Sequence, residues 1–489
     1  MTDERKFDLR EISKHNTAKS CWVVINDTVF DVTEFLPQHP GGESSILSWA
    51  GKDATEEYEM IHPPGMLDTL PPGSRLGAVD STTKDEELVK SRSTDASEKQ
   101  QSIELCLNLE DFEKVAEKRL SQRAWIYYSS ASGDHCSYQS NRLDWQKIAF
   151  RPRVMRNVDT VDMEQVILGK RMSLPIFIAP AALARLGHPD GELCLVKGSS
   201  LYNIPYAVST ASSVPLEELA KWPGRSSKRG ALWFQLYVKR QREETVELIR
   251  RAKNLGYTAL VITVDTAAVA PREADDRYKV RVALDDGQTD IATPFTMPST
   301  PEAAKPAYRA PYSSSLNWED LSWIRAEWGD AGPIGLKGIA TAEDAKIAVD
   351  YGVDFIYLSN HGGRQLDGSP SALRTLLEVT EFCPEVLRKC QIFLDGGVRR
   401  GSDVVKALCL GATAVGLGRP FMFALSAYGA EGVQRAIQMM NNEIQTTMRL
   451  LGVTKLSQLG PQFVNTMALR SELMPQIPSP AQRPIVSRL

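Results

Sequence analysis

The chain has 489 residues, 42% of them hydrophobic, enough to bury substantial cores and to form two or three domains rather than one. Its 57 basic and 61 acidic residues leave a formal net charge of -4 with no basic face, which argues against nucleic acid or an anionic membrane as partner and points to small-molecule chemistry. No apolar run is long enough for a membrane span, and the seven cysteines (Cys21, Cys106, Cys136, Cys194, Cys383, Cys390 and Cys409) form no Cys-x-x-Cys pair or zinc-spaced cluster, so they read as reduced, mostly core residues of a soluble intracellular protein.

Met1 to Arg10 carries both charge signs and no apolar run, and Asp3 and Glu4 argue against a mitochondrial presequence. Residues 5–78 then form a stretch too small for a large enzyme core but adequate for a domain stapled by a cofactor. It holds His39 and His62, each beside a turn-forming proline. A lone histidine is usually a satisfied surface or core residue, but two in one small domain point to a metal. Haem iron takes two axial imidazoles across an apolar slot; Gly41 and Gly42 would let backbone approach a porphyrin closely, and Phe35, Leu36, Ile46, Leu47, Tyr58 and Met66 can line the slot. With Trp22, Val29-Phe30-Asp31 and His-Pro-Gly-Gly, the stretch from His15 to Gly77 resembles the cytochrome b5 haem-binding family. The resemblance implies a small α+β domain with a six-coordinate b-type haem ligated by His39 and His62, suited to electron transfer rather than oxygen binding.

Residues 79–102, almost devoid of large apolar side chains, read as a flexible linker. From 103 to 473, eight short apolar runs alternate with helical patterns: Leu174 to Pro180, Ile204 to Thr210, Leu232 to Tyr237, Ala259 to Asp265, Ile334 to Gly338, Asp354 to Asn360, Ile392 to Gly397 and Ala414 to Pro420. Uninterrupted by polar alternation, they suit parallel strands buried on both sides, and a (β/α)8 barrel is the economical topology. The long connection after Asp265, rich in Pro, Ser and Thr, reads as a lid or a partly disordered segment. The Pro-rich tail, 474–489, reads as wrapping over a neighbour or hanging free. Its last residues, Ser487-Arg488-Leu489, read either as a conservative variant of a peroxisomal address or as a chance ending; the first reading places the protein in the peroxisome, and the alternatives are cytoplasm or mitochondrial intermembrane space.

Barrel enzymes place their chemistry at the C-terminal ends of the strands, and the polar residues here gather there. The third run ends Gln235-Leu-Tyr237, the fourth Thr263-Val-Asp265 with Arg272 soon after, the fifth Lys337-Gly, and the sixth Ser-Asn-His361-Gly-Gly-Arg364-Gln. The seventh and eighth end in Asp395-Gly396-Gly397-Val-Arg399 and Gly416-Leu-Gly418-Arg419, glycine amides and arginines at the position where barrels bind a phosphate. Singly, each has an ordinary explanation as a cap, a solvated charge or a tight turn; together on strand ends they make a site.

These motifs resemble the FMN-dependent 2-hydroxy-acid dehydrogenase and oxidase family, from Leu107 to Leu473, with Ser-Asn-His-Gly-Gly-Arg-Gln the most specific signature. The resemblance implies His361 as base, Asp265 as its partner, Arg364 and Arg272 as the carboxylate clamp assisted by Tyr127, and Tyr237 at the substrate hydroxyl. Lys337 would lie against the flavin's pyrimidine end. Ser209, Gln235 and Thr263, with backbone from Ala181 and Ala182, would bind the isoalloxazine, and Asp395, Gly396, Gly397, Arg399, Gly418 and Arg419 belong to the cofactor and phosphate end. With a haem domain in front, the whole chain resembles the flavocytochrome b2 family, L-lactate:cytochrome c oxidoreductases of yeasts, which implies FMN and haem b as cofactors, cytochrome c or another one-electron acceptor as partner, and a homotetramer. Ala211 stands where the lactate enzymes are expected to carry a bulkier leucine, leaving larger substrates such as mandelate open. The rivals are an oxidase reoxidised by oxygen, a non-catalytic haem sensor on a dead barrel, which the intact Tyr127, Asp265, Arg272, His361 and Arg364 oppose, and a nicotinamide-linked reductase, opposed by the lack of a Gly-x-Gly-x-x-Gly fingerprint.

Overall fold

The computed structural model describes residues 5–39, 43–62, 66–71, 73–80, 101–222, 230–285 and 312–473. Gly41 and Gly42, most of the expected linker, and the tail with Ser487-Arg488-Leu489 lie outside the described residues. The chain divides into two units, residues 1–102 with 276–307, and residues 103–275 with 308–489.

In the first unit five strands, β1 (Lys6–Phe7), β2 (Asn16–Thr17), β3 (Ser20–Ile25), β4 (Thr28–Asp31) and β5 (Arg75–Val79), form one sheet in the order β1-β5-β4-β3-β2. Asn26 and Asp27, both at positive φ, make the two-residue turn that registers β3 against β4, the conformation these two residue types tolerate best after glycine. Alternation along the strands builds two apolar layers. Cys21, Val23, Ile25 and Phe30 face a cluster with Leu36, Ala50 and Ala54, while Val24 and Val29 join Phe7, Ile12 and Val79 on the opposite face. Helices α1 (Leu9–Ile12), α2 (Glu43–Leu47) and α3 (Thr55–Ile61) complete this α+β domain.

The second unit opens with α4 (Leu109–Arg119), α5 (Gln122–Ser129) and α6 (Cys136–Gln146). Eight strands then close a parallel barrel: β6 (Ile176–Ile178), β7 (Pro205–Ser209), β8 (Ala231–Leu236), β9 (Leu260–Thr263), β10 (Ile334–Ile339), β11 (Phe355–Leu358), β12 (Gln391–Leu394) and β13 (Ala414–Leu417), with β13 pairing back to β6. All eight expected runs are barrel strands. Their inward side chains fill the interior with large residues against small ones: Phe177, Trp233, Phe355, Tyr357 and Phe393 pack among Ala207, Ala231, Ala259 and Ala414, and Trp233 stacks on Phe393 at 5.5 Å and 7°. The barrel is thus a packed core, and only its rim can carry a site. Outward residues merge with the surrounding helices, among them α7 (Glu192–Leu201), into one continuous apolar cluster.

The connection after Asp265 is more structured than its composition suggests. It holds α8 (Glu273–Asp285) and α9 (Asp320–Trp328), so only its middle, 286–311, lies outside the described residues. The long α10 (Arg419–Leu451) is bent at Tyr428 and Gly429, where the dihedrals leave the helical region, and the described part of the chain closes with a short helix over Met467–Arg470. Among the described residues no helix is long and apolar enough to cross a membrane.

Candidate active site

The site is built outward from His361, just past the end of β11. It sits at φ 58°, a left-handed conformation that costs a side-chain-bearing residue energy and persists only when neighbours hold it. They do so in two ways. The His361 amide donates to Ser359 Oγ at 3.0 Å, Ser359 Oγ donates to Asp395 Oδ1 at 2.7 Å, and the Tyr357 hydroxyl donates to Asp395 Oδ2 at 2.8 Å, a chain rooted in the barrel interior. Beside it, Asn360 and Asn141 exchange amide hydrogen bonds of 2.8 and 3.0 Å, and Asn360 Oδ1 also accepts from the Gly363 amide. Gly363 itself, at φ 76°, passes so close to α6 that a Cβ would lie 2.7 Å from the Tyr138 nitrogen, so only glycine fits there.

Held this way, His361 directs Nδ1 at Asp265, 2.9 Å from Oδ1 and 3.2 Å from Oδ2, and Nε2 at the Tyr237 hydroxyl, 3.3 Å away. Burial pushes the imidazole pKa below its usual 6.5 against the pull of Asp265, with the positive Lys337 and Arg272 helping, so the ring is neutral with a lone pair on Nε2. Asp265 loses solvation too, yet the imidazole and Lys337 outweigh that and keep it an ionised carboxylate. Gln365 anchors the same corner, donating to the carbonyls of Asp265 at 2.6 Å and Ala268 at 2.8 Å. The arrangement is a base with its orienting carboxylate, aimed at the mouth of the barrel.

Two guanidinium groups flank it. Arg364 Nη1 donates to the carbonyls of Tyr127 at 2.7 Å and Ser130 at 3.1 Å, and its charge lies 5.1 Å over the Tyr127 ring. Burial and the like charge of Arg272 push the Arg364 pKa down to about 9, and Arg272 Nε is buried with no hydrogen-bond partner. Two crowded cations without a carboxylate at ion-pair distance among the described residues make a site for an anion.

The neighbouring strand ends form a polar row. Ser209 Oγ donates to Gln235 Oε1 at 3.2 Å, Gln235 Nε2 donates to Thr263 Oγ1 at 2.8 Å, and Lys337 follows across the ladder from Thr263. Lys337 is 3% exposed and, among the described residues, its Nζ makes no hydrogen bond and lies over the Tyr357 ring, 5.5 Å from its centroid, a cost the fold would not carry without a group to meet it. The loop bearing Ala181 and Ala182 is fixed by a buried carboxylate that lacks a cation. Glu192, in the first turn of α7, accepts from the Ala184, Ser213 and Val214 amides and the Ser213 hydroxyl, stapling the loops after β6 and β7 together.

Beyond β12 and β13, Gly397 at φ 74° has its backbone against α6, where a Cβ would meet the Asn141 carbonyl, and Arg399 has one nitrogen 2.8 Å from Glu113 and another, Nη1, buried without a partner. Arg419 differs from expectation in how it can act. All three guanidinium nitrogens donate to carbonyls, those of Tyr128, Ser130 and Gly362, so its side chain ties the His361 loop to α5; what it offers an anion is its backbone N–H at the start of α10. Asp395 likewise spends its carboxylate on Tyr357 and Ser359. The unpartnered Lys337 Nζ and Arg399 Nη1 with the amide-rich termini between them fit a long cofactor with a polar ring at one end and a phosphate at the other, and FMN has that form.

In the first unit His39 and His62 face each other with ring centroids 5.8 Å apart, room for a metal with a bond of about 2 Å to each imidazole. His62 Nδ1 lies 3.2 Å from the Tyr58 carbonyl and its ring stacks on Tyr58 at 4.5 Å, which leaves Nε2 for the metal. Leu36 is in the adjoining apolar cluster, with Phe35, Ile46, Leu47 and Tyr58 packed against it; Met66, expected there too, is 41% exposed, and Leu67 and Leu70 take part instead.

A parallel barrel with a base, an anion clamp and a flavin-shaped polar row at its rim, behind a small bis-histidine domain, defines the class of FMN- and haem-dependent oxidoreductases. The chain matches the FMN-dependent dehydrogenase family over residues 116–466 and the cytochrome b5-like heme/steroid binding domain over residues 8–80. It is 37% identical over 473 residues to L-lactate dehydrogenase (cytochrome) of Wickerhamomyces anomalus, covering 95% of this chain and 80% of that one. Glycolate oxidase 3 of Arabidopsis thaliana is 38% identical over 367 residues, 73% of this chain and 96% of that one. Among solved structures, a flavocytochrome b2 variant with sulfite bound superposes with a TM-score of 0.68 at 32% identity, covering 83% of this chain and 97% of that one, and a variant with benzoylformate does so with 0.67 at 33%, covering 81% and 93%. The chain belongs to the FMN-dependent dehydrogenase family and carries a cytochrome b5-like haem domain in front of the barrel.

Proposed function

We propose that the protein oxidises an L-2-hydroxy acid, L-lactate first among them, to the 2-oxo acid and passes the electrons singly through haem b to an acceptor such as cytochrome c. The observation that carries this reading is the convergence of a neutral His361, backed by Asp265, with two arginines that meet no carboxylate at ion-pair distance among the described residues. Arg364 and Arg272 hold the substrate carboxylate, with Tyr127 beside them, and this fixes the reacting carbon over the base. His361 Nε2 takes a proton from the substrate, and the imidazolium formed gains the full attraction of Asp265. Tyr237 bonds the substrate hydroxyl and orients it towards Nε2. FMN, when bound, takes up the electron pair and releases it one electron at a time, and haem iron held by His39 and His62 carries single electrons. Lys337 supplies the positive charge that balances the two-electron reduction.

Lys337→Met therefore lowers the rate of flavin reduction by substrate by roughly 10²-fold or more, the scale seen when one electrostatic group is removed, as anaerobic stopped-flow absorbance checks. We take as the assembled form the homotetramer that the family resemblance of the sequence implies, and light scattering on the purified protein giving a monomer mass would exclude it. The reading as a whole is tested by stoichiometry. With L-lactate and ferricytochrome c, two cytochromes are reduced per 2-oxo acid formed and little peroxide accumulates; peroxide equal to product, with cytochrome c untouched, would make the protein an oxidase instead.

A further inference from the structure

The segment returning from residues 286–311 re-enters the described structure at Tyr312, and it does so at the rim of the barrel. Tyr312 pairs with Lys239 in an antiparallel bridge, and the Ser313 amide donates to the Val238 carbonyl at 2.8 Å, so this residue is registered against the extension of β8 that carries Tyr237. Its ring lies flat on Tyr237, centroids 4.2 Å apart and planes at 12°, and Lys239 Nζ lies over the ring, 5.5 Å from its centroid. Tyr237 in turn reaches His361 Nε2 with its hydroxyl, so Tyr312 stands one ring's thickness from the reacting position. Burial raises the Tyr312 phenol to about 12, and Tyr127 and Arg272 are the groups whose charges it feels, both of them at the anion clamp. Among the described residues its hydroxyl makes no hydrogen bond, and neither the base, the clamp nor the flavin row uses it.

We infer that Tyr312 is a specificity-determining residue whose ring, with Tyr237, forms an aromatic wall for the side chain of an aryl-substituted 2-hydroxy acid. This rests on the hydroxy-acid reading above. With the carboxylate at Arg364 and Arg272 and the hydroxyl at Tyr237, the third substituent of the reacting carbon is left to meet the rim, and the group found there is a flat, neutral ring of the kind that packs against another ring. A hydrogen or a methyl gains little from it, whereas an aryl group gains ring contact. On the neighbouring loop after β7, where Thr210 Oγ1 accepts from the Tyr237 amide at 3.1 Å, the partly exposed Ala211 adds no bulk.

The test measures kcat/KM of the holoenzyme for L-mandelate, L-lactate and glycolate in the parent and in Tyr312→Ala and Tyr312→Phe. The parent reduces its flavin with L-mandelate, and in Tyr312→Ala the ratio of kcat/KM for L-mandelate to that for glycolate falls roughly tenfold, the scale of one ring contact, while Tyr312→Phe restores it. An unchanged ratio, with all three substrates slowed alike, would make Tyr312 a mere prop for Tyr237 and overturn the inference, as would a parent that turns over L-lactate but not L-mandelate. Failure with every 2-hydroxy acid would instead sink the functional reading on which the inference stands.

Discussion

Replacing His361 with Gln lowers the rate of flavin reduction by L-lactate by roughly 10²- to 10⁴-fold, the range that a positioned base contributes. FMN binding survives, because the row from Ser209 to Lys337 and the glycine-arginine end at Arg399 are built on other strands. Glutamine has no basic nitrogen, and its amide can still occupy the space beside Asp265, so the loss reports the base and not a collapsed loop. Flavin absorbance of the purified variant gives cofactor content, and anaerobic stopped flow gives the rate. Near-parent rates would remove His361 from the mechanism. The pH dependence has a definite sign. Since the free enzyme's His361 pKa lies below 6.5, the base is unprotonated at neutral pH, and kcat/KM falls only as pH drops through that depressed value. A kcat/KM that rose on acidification through the same range would mean that the imidazolium is the active form.

His62→Ala has the complementary effect. It removes one of the two imidazoles that face each other across 5.8 Å, so the b-type haem bands disappear and cytochrome c reduction by lactate is abolished, while flavin reduction stays near the parent rate. The separation follows from composition of the two units: the haem ligands lie in residues 1–102, and every residue of the His361 site lies in 103–275 or 308–489. Spectra before and after lactate addition check both halves at once. Loss of flavin reduction together with haem would mean that the barrel depends on the small domain for its fold.

Much of this was legible in the sequence for physical reasons. Parallel strands buried on both faces must be continuous apolar runs, and seven of the eight runs end in polar residues of the site, the first leading instead to the backbone of Ala181 and Ala182, because a filled barrel leaves only its rim for chemistry. What the sequence concealed were contacts made across the fold. Asn360 stands next to His361 and was visible as part of a motif, but its partner Asn141 comes from α6 and nothing local marks it. Arg419 reads as a phosphate ligand from its place after Gly418, yet a guanidinium can reach several carbonyls, and here it spends itself on Tyr128, Ser130 and Gly362. Tyr312 emerges from a Pro- and Ser-rich stretch whose composition says only loop, and its stacking on Tyr237 depends on where that loop returns. Glu192 reads as an ordinary first-turn acid of a helix, although four donors surround it.

The most direct test of the account is anaerobic mixing of the oxidised holoprotein with L-lactate, followed at the flavin and haem bands. The account predicts flavin bleaching first, then haem reduction at the expense of the reduced flavin; a flavin that stays oxidised with L-lactate, L-mandelate and glycolate alike would contradict it.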